Sequence, residues 1–199
     1  MLSVKDILKI EKPIVWSLHD VWAFTGGCHY NEGCINFHDS CGNCKVLGSN
    51  KSLDLSQLVF KSKLKSYTKH GNITFIGLSK WMTEMARSSP LTNNKVVNLP
   101  NPINTNIYKP TPKDNTPFLF EINSNTNNIL IGAMSLNIKR KGFREFIDAV
   151  EYISNGFDLI TFGNSNTNSL KIKQKVVNAG FISNIKQMVM LYSAVCVTV

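Results

Sequence analysis

A chain of 199 residues with 43% hydrophobic content has material for one ordinary domain or two small ones, and is no disordered tail. Its net charge of +9, from 22 basic and 13 acidic residues, calls for an anionic partner: a phosphorylated small molecule, a nucleic acid or an anionic membrane surface. The opening MLSVKDILKIEKP breaks its apolar residues with charges, and no later run approaches the ~18 apolar residues of a spanning helix. Neither an export signal nor a membrane span is expected, and the expected compartment is the cytoplasm.

In chain order, Ile14 to Leu18 in PIVWSLHD is a bulky apolar run of the kind found in buried parallel strands. His19 and Asp20 follow it directly. From Val21 to Ser49 the chain is rich in Gly, Cys, Asn and His without periodicity, an irregular insertion that needs something other than a core to order it. Gly26 and Gly27 are read as a tight turn, because no phosphate-loop pattern surrounds them. A helix is expected around Leu55 to Tyr67, a strand over Ile73 to Leu78, and a helix capped by Ser79 that runs to about Ser88. A short strand, Val96 to Leu99, precedes PNPINTNIYKPTPKDNTP, which suits neither helix nor central strand and marks a domain boundary.

Beyond the boundary, Asn128 to Gly132 is strand-like, and Phe143, Phe146, Ile147, Val150 and Ile153 recur at helical spacing. Leu159 to Phe162 reads as a buried strand closed by Gly163. A basic helix over Asn168 to Asn178, a helix over Gln187 to Ser193 and a strand over Val195 to Val199 complete the pattern. The alternation implies an α/β fold of parallel sheets covered by helices. The domains expected are 1–99 with a Cys-rich insertion at 26–49, a linker over 100–117, and 118–199. Each sheet is expected to be incomplete, since the first half offers only about three strands and the chain closes on the apolar VCVTV.

Four of the five cysteines, Cys28, Cys34, Cys41 and Cys44, crowd into one loop with spacing C-x5-C-x6-C-x2-C. In a reducing compartment this disfavours a disulfide framework. It suits a closed tetrahedral Zn²⁺ site that would order the loop, with reduced loop cysteines and an iron–sulfur cluster as the other readings. His29 and His38 could replace a thiolate. No catalytic metal is expected. Cys196 reads as a small hydrophobe in a strand. Trp16, Trp22, Phe24 and Trp81 read as core aromatics, and the dispersed lysines, Lys61, Lys63 and Lys65 among them, read mostly as solvated.

Five segments in order carry a family resemblance: PIVWSLHDVWAFTGGCHYNEGC with CGNCKVLGS, FIGLSKWMTEMARSSPL, NLPNPINTNIYKP, KRKGFREFIDAV and LITFG. Together they resemble the glycosyltransferase family 4 enzymes of capsule and exopolysaccharide synthesis, including the colanic acid type. The resemblance implies a GT-B fold, in which two Rossmann-like parallel-sheet domains face each other across a cleft. It implies transfer, with retention, from a nucleotide-sugar donor held mainly by the second domain to a glycan or lipid-linked acceptor held by the first. His19 then corresponds to a residue that contacts the transferred sugar, with Asp20 beside it either in the chemistry or bonding loop amides. Lys141, at the Lys-Gly helix start with Arg140 and Gly142, is the candidate for the donor diphosphate, and Gly163 closes a donor-domain strand.

The family's usual Arg after the strand glycine is here Ala133, so Lys139 or Arg140 has to compensate. The two-Glu donor motif falls downstream of this chain, and the glycine-rich acceptor loop is absent, which makes a catalytically inactive remnant the alternative reading. The charge of +9 suits the diphosphate and a peripheral contact with anionic headgroups at the cytoplasmic membrane face. A zinc-stabilised nucleic-acid-binding protein is disfavoured, because neither interleaved aromatic and basic residues nor a second C-x-x-C pair is present.

Overall fold

The computed structural model describes residues 4–7, 9–69, 72–93, 95–112, 120–123, 125–135, 138–153, 156–164 and 172–198. The chain divides into two compact units, Met1–Pro102 and Ile103–Val199, so the division falls inside the Pro/Asn-rich stretch. Among the described residues no helix is long and apolar enough to cross a membrane.

In the first unit a short helix α1 (Val4–Ile7) precedes strand β1 (Ile14–Leu18). Helix α2 (Leu55–Lys69), strand β2 (Ile73–Gly77), helix α3 (Lys80–Arg87) and strand β3 (Lys95–Asn98) follow. The sheet order is β1-β2-β3, parallel throughout, with Ile14 opposite Ile73 and Phe75 opposite Val96. The central strand β2 buries Ile73 and Phe75 on one face, and burial of a side chain of this size contributes roughly 1.5–3 kcal/mol. β1 departs from the continuous burial expected of it. It pairs on one side only, and Val15 and Ser17 are exposed while Trp16 packs inward on Trp22, Tyr67 and Phe75 at ring separations of 5.9–6.4 Å.

α3 starts where its cap is expected. The Ser79 side chain accepts the Met82 N–H at 3.1 Å, which satisfies one orphan donor of the first turn. Its inner face is Met82, Thr83 and Ala86, and Arg87 docks it by donating to the Val96 carbonyl at 3.0 Å. Trp81 lies off that face and is 59% exposed, so it is no core residue.

The insertion does have a core. Val21, Ala23, Phe24 and Phe37 join the buried cluster of the first unit, the rings of Phe24 and Phe37 lie 5.7 Å apart, and Cys28 and Cys41 pack against the same cluster. Three short 3₁₀ turns, at Trp22–Phe24, Asn36–His38 and Lys45–Leu47, supply its regular structure.

The second unit holds strand β4 (Asn127–Ser135), helix α4 (Phe143–Val150), strands β5 (Phe157–Asn164) and β6 (Val176–Asn178), helix α5 (Ile185–Ala194) and strand β7 (Val197–Thr198). The order is β6-β5-β4-β7, again parallel in every pairing. Adjacent residues on β4 and β5 are buried on opposite faces. Leu130 and Ile160 lie under α5 residues Leu191 and Ala194, while Ile131 and Leu159 lie with Phe143, Phe146 and Ile147 of α4. Helical cover on both faces explains the near-continuous apolar runs.

Three expectations are corrected here. Residues 176–178 form strand β6 instead of the end of a basic helix, while 168–171 lie outside the described residues. Ile153 lies past the end of α4 and is 48% exposed. Cys196 is exposed and precedes β7, with its N–H donating to the Asn128 carbonyl at 2.9 Å.

Candidate functional site

The carboxyl end of β1 runs directly into His19 and Asp20. His19 is exposed, and it lines a small cavity of about 210 Å³ together with Trp16, Asp20, Trp22 and His29. Asp20 is held from two sides. Its Oδ1 accepts the Trp22 N–H at 2.9 Å, and its Oδ2 lies 2.7 Å from His29 Nδ1. The carboxylate can only accept, so Nδ1–H of His29 donates to it. Asp20 therefore bonds a loop amide, as one of its two readings required, and also orients a second histidine. The sequence offers His29 only as a substitute metal ligand. Its partnership with Asp20 depends on the insertion folding back, with the Val21 N–H donating to the His29 carbonyl at 3.1 Å, and no periodicity signals that return.

The four cysteines of the insertion all line one larger cavity of about 510 Å³, and all are free thiols. His29 and His38 are not part of its lining; His38 packs edge-on to Phe37 at 4.5 Å. Among the described residues, no group of three or more His, Cys, Asp or Glu side chains is placed to hold a metal ion as it stands. Burial, with the neighbouring thiols Cys28, Cys34 and Cys44 adding to it, pushes the Cys41 thiol up to about 11, against the Gly26 N–H that donates to its Sγ at 3.2 Å. Asp54 is held below the usual carboxylate range by the Ser56 hydroxyl and then by the Cys44 N–H.

Gly26 and Gly42 are where α2 meets the insertion. A Cβ on Gly26 would stand 2.4 Å from the Ser56 carbonyl oxygen, and one on Gly42 would stand 2.2 Å from that of Ser52. Gly26 thus serves close backbone approach, and only Gly27, at φ +124°, has the turn conformation expected of the pair.

Beneath the insertion lies Lys63, 2% exposed and so no solvated lysine. Its ammonium donates to the Trp22 carbonyl and, at 3.1 Å, to the Thr25 carbonyl, and stands 3.6 Å from the centroid of the Trp22 ring. Burial lowers its pKa to about 8, opposed by the acidic groups of Cys28, Cys41 and Asp20.

In the second unit Lys139–Lys141 form a 3₁₀ turn after β4, and Gly142, at φ +67°, leads into α4. Lys141 and Arg140 are both exposed at that helix start. Gly163 is buried near the end of β5, its N–H donating to the Gly180 carbonyl at 2.8 Å. These candidates lie at the carboxyl ends of the neighbouring parallel strands β4 and β5, where ligands of open α/β sheets bind.

The sucrose-phosphate synthase of Thermosynechococcus elongatus superposes with a TM-score of 0.57 over 85% of this chain and 42% of its own, at 14% sequence identity. The fold is mixed α/β with parallel sheets, of the GT-B type. A putative colanic acid biosynthesis glycosyl transferase, WcaC, of Escherichia coli (strain K12) is 38% identical over 45 residues. That match takes in 21% of this chain and 11% of WcaC, so the chain spans about a tenth of its curated relative's length. No family model matches. The sequence likeness to a colanic acid glycosyltransferase and the structural likeness to a GT-B enzyme agree with the resemblance drawn from the motifs.

Proposed function

We propose that this chain belongs to a retaining glycosyltransferase that moves a sugar from a nucleotide-sugar to a glycan or lipid-linked acceptor in cell-surface polysaccharide synthesis. The observation that carries the reading is the placement of its polar candidates at the carboxyl ends of parallel strands in both units. On this reading His19 hydrogen-bonds the transferred sugar, and the Asp20–His29 pair holds the adjacent turn in shape. Lys141 and Arg140 offset the charge that grows on the diphosphate as the glycosidic bond breaks. Gly142 and Gly163 let the backbone approach the donor. The net charge of +9 also favours contact with anionic headgroups at the cytoplasmic membrane face, where a lipid-linked acceptor resides.

The test is saturation-transfer NMR with UDP-, GDP- and dTDP-sugars. Binding of one nucleotide-sugar, weakened at least tenfold in Lys141→Ala, supports the donor site. Lys141 is exposed, so this substitution is expected to change stability by less than about 0.5 kcal/mol, and the effect on binding can be read separately from folding. A folded protein that binds none of the three sugars, or binds one equally well without Lys141, overturns the reading.

A further inference from the structure

The four-cysteine cavity holds none of the residues assigned above to sugar or donor binding, and a buried cation lies under it. We infer that Cys28, Cys34, Cys41 and Cys44 bind one thiophilic divalent cation, Zn²⁺ by its chemistry, and that Lys63 is the buried positive charge that offsets the resulting tetrathiolate.

The donor set comes first. All four thiols are unpaired and line a single cavity, and the nearby histidines are engaged elsewhere, His29 by Asp20 and His38 against Phe37. Four sulfurs without an oxygen-rich shell select a soft metal in a closed tetrahedral site and disfavour Ca²⁺ or Mg²⁺.

The frame around the donors comes second. Cys41, Gly42 and Asn43 have φ of 57°, 95° and 48°, three left-handed residues in succession, two of which carry side chains. Such a turn is costly and persists only when its surroundings impose it. Here Gly42 N–H donates to Ser56 Oγ at 3.0 Å, Cys44 N–H to Asp54 Oδ2 at 3.0 Å, and Asn36 Nδ2 to the Gly42 carbonyl at 2.9 Å. The C-x-x-C pair is thus fixed from outside. The Gly26 N–H already points at Cys41 Sγ, the contact a bound thiolate needs from its surroundings. Cys34 is half-buried and follows a turn whose exposed Glu32 and Gly33 also have positive φ, and no three ligand side chains are yet gathered around one point. Binding therefore draws the four thiols closer together within the cavity they already line.

Charge comes third. A divalent ion with four thiolates carries two net negative charges, and Lys63 is buried with two carbonyls and a ring face but with no carboxylate within ion-pair distance among the described residues. An ammonium in that position is expensive alone and favourable beside an anionic cluster. Each thiol that ligates gives its proton to solvent, so uptake of one ion releases up to four protons.

The test uses the full chain, reduced and stripped of metal, titrated with Zn²⁺ against a chromophoric chelator and separately with Co²⁺. The expected result is one ion per chain, thiolate-to-cobalt charge-transfer bands with tetrahedral d–d bands, and proton release into weakly buffered solution. Cys34→Ser, next to the exposed turn and so the least damaging to folding, should lower affinity at least tenfold and weaken the charge-transfer bands. Lys63→Met should lower affinity by roughly 10–100-fold with the cobalt spectrum unchanged, as expected for a group acting from outside the ligand set. No uptake by the folded chain, or uptake indifferent to Cys34→Ser, overturns the site. An affinity unchanged in folded Lys63→Met overturns the role of the lysine.

Discussion

Lys63 makes a quantitative prediction about stability and pH in the metal-free, reduced chain. Its pKa falls from the ordinary 10.5 of a lysine to about 8 on folding, because burial disfavours the ammonium. Between these values the unfolded chain binds more protons than the folded one, so stability rises with pH. Below pH 8 the folded protein bears the full cost of the buried charge; above 10.5 both states are neutral and the gain is complete. From pH 7 to pH 9 the lysine alone should add about 1.3 kcal/mol. Other groups oppose this at higher pH, since Cys41 and Tyr67 are pushed upward by burial and lose stability as their unfolded counterparts ionise. Cys28 and Asp20, the other acids facing the amine, are common to both proteins compared. The assay is urea unfolding at pH 7, 8 and 9 of the wild type and of Lys63→Met, which keeps the length and packing of the side chain. The difference in stability between the two should shift by about 1.3 kcal/mol in favour of the wild type over that range. Parallel pH profiles would mean that Lys63 is not buried as a charge, and the reasoning would fail.

Two substitutions probe the frame. Gly42→Ala brings a Cβ within 2.2 Å of the Ser52 carbonyl oxygen at φ +95°, and should cost about 2 kcal/mol by chemical denaturation; a loss under about 0.5 kcal/mol would show that the turn relaxes freely. Ser79→Ala removes the cap on α3 and should cost about 1 kcal/mol, with helix content near Lys80 falling in hydrogen exchange; unchanged protection there would count against the cap.

The inner strands of both units were legible because buried parallel strands need bulky apolar runs, as in ITFIG and NNILIG, and β1 was found from PIVWSL although Val15 and Ser17 are exposed. Other features depended on partners distant in sequence. Lys63 is a lysine on a helix, and nothing local shows that its amine reaches carbonyls 41 and 38 residues away. Val176 and Val177 lie among lysines that favour a helix, yet pairing with Leu159 and Ile160 makes them a strand. Trp81 is large and apolar, but its helix turns Met82, Thr83 and Ala86 inward and leaves it outside. In the candidate site His19 could be placed from its position after β1, whereas the Asp20–His29 pair required the return of the insertion.

That return connects the metal inference to the proposed chemistry. Cys28 is adjacent to His29, whose carbonyl takes the Val21 N–H and whose ring meets the carboxylate of Asp20, the neighbour of His19. Lys63 reaches the same stretch from below through the Trp22 and Thr25 carbonyls. An ion that fixes Cys28 therefore also fixes the wall of the small cavity at the end of β1, and the insertion becomes a brace for the proposed sugar site. Zn²⁺ titration followed by NMR should shift the ring signals of His29 and His19 together with the 26–49 backbone, while amides of the second unit stay in place. Shifts confined to residues 34–47 would separate the two sites and leave the insertion with a local structural role alone.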